Sequence, residues 1–138
     1  MREDQRLELA PKAWVEVLWE GQLHLFTLQT GERRALEAYF GHAKQLMHTW
    51  QNERPLLVCH DFSQASISPY SQQWVKAIFQ SYPPSLLCYS ANILPANVLG
   101  QFMRLFADRN RPKIPKLQMI YVNDKAKALA WLEKHKGS

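Results

Sequence analysis

Residues 56–59, Leu-Leu-Val-Cys, are apolar without interruption, opened by Pro55 and closed by His60-Asp61. A strand with one wet face alternates apolar and polar residues, whereas a strand with no polar position is covered on both faces. Such a run restricts the fold to a sheet with material packed above and below it. The flanking patterns say what that material is. Upstream, Leu36, Tyr39, Phe40, Ala43, Leu46 and Met47 recur at spacings of three and four as far as Trp50, which makes one stripe of a long amphipathic helix. Downstream, residues 66–82 predict a second helix buried through Trp74, Val75, Ile78 and Phe79, with Pro83-Pro84 as its stop.

The same alternation of element types continues in both directions. Residues 13–19 and 22–28 read as two strands separated by the turn signal Glu20-Gly21, so they pair as a hairpin. Thr30 is placed to cap the helix that follows. After Pro84, SLLCYSANIL (85–94) predicts a strand and PANVLGQFMRLFADRN (95–110) a helix, with Pro95 in its first turn. LQMIYV (117–122) is a last strand, and Asn123 caps a last helix over 124–136. The order β-β-α-β-α-β-α-β-α makes one α/β domain over residues 1–138, a mostly parallel sheet joined by right-handed crossovers, with one antiparallel strand at its edge.

Composition bounds the function classes. The charge is +5, from 17 Lys plus Arg against 12 Asp plus Glu, and the excess collects late, from Arg104 to Lys136. That cluster is read as a solvated surface in preference to a nucleic-acid site. No apolar run reaches the roughly 20 residues that span a bilayer. The stretch MREDQRLELAPK lacks the apolar centre of a secretory signal. Cys59 and Cys88 lie in buried-looking strands and read as reduced core thiols, so a cytoplasmic setting is expected.

Cys59-His60-Asp61 has the residue types of a nucleophile, a base and an acid. Successive strand side chains point to opposite faces, so His60 projects away from both neighbours, and the required contact of about 3 Å is out of reach. His24, His42, His48, His60 and His135 show no metal-ligand spacing, and the glycines form no phosphate loop. The chain is therefore read as non-enzymatic, with no cofactor. Asp61 and Ser63 lie at the carboxyl end of a central strand, where open parallel sheets bind ligands; a loop-holding role for Asp61 is the plainer alternative. Ser68 and Pro69 read as N-cap and first helical residue, and Ser71 falls in the first turn, where the helix dipole favours negative charge.

LLVCHDFSQASIS, followed by a helix, resembles the strand, Asp and small polar loop that STAS-type domains place before their second helix. MIYVNDKAKALAWLEKH is similar to the closing strand and helix of the STAS/Sec14-like subfamily. From about Trp14 to Leu132 the chain thus resembles SpoIIAA-like domains, the bacterial group that includes anti-sigma-factor antagonists. The resemblance implies a regulatory module whose partner is another protein, a second copy of the chain included. It also implies that Ser71 stands nearest the antagonists' phosphorylated serine, although Pro69, Tyr70 and Gln72 replace the rest of that motif. The docking surface expected is residues 61–74 together with the third helix. The resemblance further implies an apolar contact or pocket wall at Phe102, Met103 and Phe106, with Tyr89 and Trp131 as candidates for the same cavity. The alternative is a carrier or sensor of a small apolar or anionic ligand, which an enclosed cavity under the third helix would favour.

Overall fold

The apolar run at 56–59 is an inner strand of a six-stranded sheet in the computed structural model of the chain, which describes residues 5–51, 53–66, 68–96, 98–109 and 114–137. In chain order the elements are β1 (Gln5–Ala10), β2 (Ala13–Leu18), β3 (Leu23–Leu28), α1 (Arg33–Thr49), β4 (Leu56–Asp61), α2 (Pro69–Gln80), β5 (Cys88–Ile93), α3 (Val98–Arg109), β6 (Leu117–Val122) and α4 (Lys125–Lys134). The strands lie side by side in that order. β3 to β6 are parallel neighbours, whereas β1 and β2, and β2 and β3, pair antiparallel.

The sheet's edge differs from the sequence expectation. The charged N-terminal stretch supplies a sixth strand, so β2 lies inside the sheet as the one strand running against the others. Arg6 sits opposite Glu16, and its guanidinium lies 4.1 Å from the Trp14 ring centroid. Opposite charges across an antiparallel pair are favourable, and charge on an edge strand discourages further pairing. The composition that hides β1 is what suits it to the edge.

Alternation sorts the inner strands onto two layers. Leu56 and Val58 face a core shared with α1 and α2, while Leu57 and Cys59 face the opposite side, where α4 packs through Ala128 and Leu132. An isolated helix as short as α4 is marginal in water. Full burial of a leucine is worth about 1.5–3 kcal/mol, so fully buried Leu132 is what holds it down.

Three helix starts also move. α1 has Glu32 at its N-cap with no side-chain cap, and the Thr30 hydroxyl accepts from the Glu32 N–H at 3.1 Å, outside the helix. Asp124, not Asn123, caps α4 by accepting from the Ala126 N–H at 2.8 Å. α3 begins at Val98, so Pro95 precedes it; the Pro95 carbonyl oxygen stands where a Cβ on Gly100 would be, and only glycine fits.

Candidate functional site

Parallel register lines up one row of side chains across the sheet. Phe26 lies beside His60, His60 beside Asn92, and Asn92 beside Tyr121; one step earlier, Ser90 lies between Val58 and Met119. Because period-two alternation puts all of them on the α1–α2 face, they form the floor of a cavity of about 150 Å³. Phe40, Met47, Val75 and Ile78, from α1 and α2, form its apolar roof. Ser66 is exposed at its rim. Among the described residues no Asp, Glu, Lys or Arg borders this space.

His60 is clamped in the floor. Its ring stacks on Phe26 and Phe62, with centroids 5.1 and 5.5 Å away, and its Nδ1 lies 2.5 Å from the Tyr39 hydroxyl. Tyr39 is wholly buried, and burial, helped by nearby Cys59 and Asp61, pushes its pKa well above the ordinary phenol value. Burial lowers that of His60 to about 4. A buried phenol whose partner is a ring nitrogen satisfies its O–H by donating to it. The imidazole is then the neutral tautomer with its proton on Nε2, a donor left to the cavity. That state makes His60 a poor general base and a good hydrogen-bond donor.

Ser90 and Asn92 stand beside it on β5. Ser90 and Asn92 are 8% and 7% exposed, both border the cavity, and Asn92 donates from Nδ2 to the Ile120 carbonyl at 3.3 Å. Polar side chains at the floor of a largely apolar space are where a ligand's polar group would be oriented.

Of the residues singled out from the sequence, Ser71 borders the cavity from the first turn of α2, and the other described ones fall elsewhere. Cys59 and Asp61 face away from His60, as strand alternation requires, and burial, with Asp61 adding, pushes the Cys59 thiol up to about 12. A thiol so raised is no nucleophile. Asp61 Oδ1 accepts from the Ser63 N–H at 3.0 Å and from the Ser63 hydroxyl at 2.6 Å, a closed turn that holds the loop. Ser68 Oγ accepts from the Ser71 N–H at 3.2 Å, and Ser71 Oγ accepts from the Ser68 N–H at 2.8 Å. This is a reciprocal capping box, and Ser71, 8% exposed, also donates to the Ser68 carbonyl at 2.8 Å.

Tyr89 on β5 and Trp131 on α4 meet on the opposite face, Tyr89 stacked on His135 at 3.9 Å, and neither borders the cavity. The side chains of Phe102, Met103 and Phe106 lie outside the described residues. Of the late basic cluster, Arg104 and Lys127 meet at a separate open cleft of about 480 Å³ beyond the carboxyl ends of β5 and β6, both exposed to solvent; Arg111 and Lys113 lie outside the described residues. Among the described residues no three His, Cys, Asp or Glu side chains group as a metal site, and no helix is long and apolar enough to cross a membrane.

Sequence reasoning missed His60, Ser90 and Asn92 as a group. The signal was present in CYSANI: Ser90 and Asn92 are two apart on a strand whose other face, Tyr89, Ala91 and Ile93, is apolar. Compared with family models, curated proteins and solved structures, the chain matches none of them.

Proposed function

We propose that the chain is a SpoIIAA-like, non-enzymatic binding domain whose ligand is a small, uncharged, mainly apolar molecule held between the sheet and α1–α2. The observation that carries this reading is the 150 Å³ cavity, apolar on its roof and bordered by no charged side chain among the described residues. A space of about this size takes a molecule on the order of benzene. A charge moved there from water would lose far more solvation than any neutral lining returns, so of the two ligand classes expected, the apolar one is favoured over the anionic one. Four successive parallel strands, each linked to the next through a helix, support the SpoIIAA-like placement. A protein partner at residues 61–74 and α3 has less behind it: Leu105 is 65% exposed, but its described neighbours Gln101, Arg104 and Asp108 are polar, and one exposed leucine is ordinary.

Titration with ethylbenzene, followed by methyl NMR, tests the reading. Met47, Val58 and Ile78 should shift saturably, while Ala128 and Leu132, on the far side of the sheet, stay fixed. Unmoved cavity methyls at the solubility limit of the probe would reject it.

A further inference from the structure

The cavity has an asymmetry that an apolar ligand alone leaves unused. Its roof is mainly hydrocarbon and aromatic, with Ser71 and Gln72 at the start of α2, whereas its floor carries His60, Ser90 and Asn92 in adjacent positions next to Tyr121: His60 opposite Asn92 in register, and Ser90 two residues before Asn92 on the same face. Neighbouring strands stand about 4.8 Å apart, and residues two apart on one strand about 6.6 Å. The polar atoms therefore fall within reach of one functional group. Their chemistry is unequal. The Tyr39 hydroxyl occupies Nδ1 of His60 and leaves Nε2–H as a fixed donor, while the Ser90 hydroxyl and the Asn92 amide can both donate and accept.

We infer that the ligand is a flat, one-ring, uncharged molecule bearing a carbonyl oxygen, which accepts from His60 Nε2–H while its apolar body lies against the α1–α2 roof. This rests on the cavity being a binding site at all. Ser90 and Asn92 flank the same oxygen and accept from any N–H or O–H next to it. Phe26 and Phe62, both stacked with the His60 ring, keep the donor in position, so little ordering entropy is lost on binding. A carboxylate is disfavoured by the same floor, which offers it no cation among the described residues.

The test compares acetophenone, ethylbenzene and benzoate on the full chain with ¹⁵N-labelled histidine. Acetophenone and ethylbenzene have nearly the same shape and differ in the carbonyl. Acetophenone should bind about three- to tenfold more tightly, the range of one net hydrogen bond, and should move the His60 Nε2 resonance, whereas ethylbenzene leaves it in place. His60→Phe should erase the preference while retaining ethylbenzene. Should that variant fail to fold, the Nε2 response of the unaltered protein decides alone. Equal affinities with Nε2 unmoved would overturn the carbonyl assignment and leave the cavity reading intact, and benzoate binding the cavity more tightly than acetophenone would overturn the neutral one. Binding of none of the three would remove the cavity reading itself.

Discussion

The Tyr39 hydroxyl and His60 Nδ1 stand 2.5 Å apart, and this one contact joins α1 to the central strand β4 and fixes which nitrogen of His60 is free. It is a structural bond with a functional consequence. The tautomer presented to the cavity is set from the helix side, before any ligand arrives.

Tyr39→Phe separates the two roles. It leaves Nδ1 buried without its donor, and stability should fall by about 1–3 kcal/mol, read from the urea midpoint. The imidazole, no longer held, should populate both tautomers, which the two ring ¹⁵N shifts distinguish. Retention of a single Nε2–H form in the variant would show that Tyr39 does not select it.

Acid should destabilise the protein through its buried histidines. Burial lowers His60 to about 4, and burial with His42 nearby lowers His24 to about 4. Unfolded histidine titrates near 6.5. On acidification the unfolded chain therefore takes up these protons first, and stability that is complete above pH 6.5 drains away toward pH 4. At pH 5 the loss is on the order of 2 kcal/mol per histidine. Chemical denaturation at pH 7, 6 and 5 measures it, and a midpoint constant over that range would contradict the buried neutral state. Between pH 6.5 and 8 the His60 donor does not change, so binding of a neutral ligand should be flat with pH.

Ser68 and Ser71 cap α2 as a reciprocal pair. Ser68→Ala should cost about 1 kcal/mol, and Ser71→Ala a similar amount. The double variant should lose less than the sum, because each removal already breaks the other's bond. Strict additivity would mean the two hydroxyls act apart. The same geometry bears on Ser71 as a modification site: its oxygen accepts one backbone bond and donates another, so a kinase would have to unwind the first turn to reach it.

Gly100→Ala tests the approach of Pro95 to α3. The added methyl would meet the Pro95 carbonyl, a backbone atom that cannot swing aside. Stability should drop by about 1–3 kcal/mol despite alanine's better helix propensity, worth about 1 kcal/mol in the other direction. A thermally stabilised variant would refute the contact.

Five of the six strands and all four helices were legible because each carries its period in side chains that face a core. Leu56 to Cys59 announced burial on both faces, and the Leu36–Met47 stripe announced α1. β1 was not legible, since Arg6 and Glu8 follow the logic of an edge, where charge guards against further pairing. For the site, alternation was applied to Cys59-His60-Asp61 and gave the right faces. Applied to β5 it would have put Tyr89 opposite to Ser90 and Asn92. That Ser90 and Asn92 face a cavity and not water depends on α1 and α2 roofing β4 and β5 at a distance, and no local pattern carries a distance between layers.

Ser90→Val brings stability and binding into opposition. Ser90 is buried at the cavity floor, and valine replaces its hydroxyl with two methyl groups. The exchange removes a polar group from a largely apolar space and fills part of the cavity, so the ligand-free protein should gain about 1–2 kcal/mol. The added methyl groups take up volume that a ring-sized probe needs, and ethylbenzene affinity should fall at least tenfold. Stability gained while binding is lost is the pattern of a residue kept for its ligand at the expense of the fold. A destabilised Ser90→Val protein that still bound ethylbenzene would instead make Ser90 an ordinary packing residue, its hydroxyl incidental.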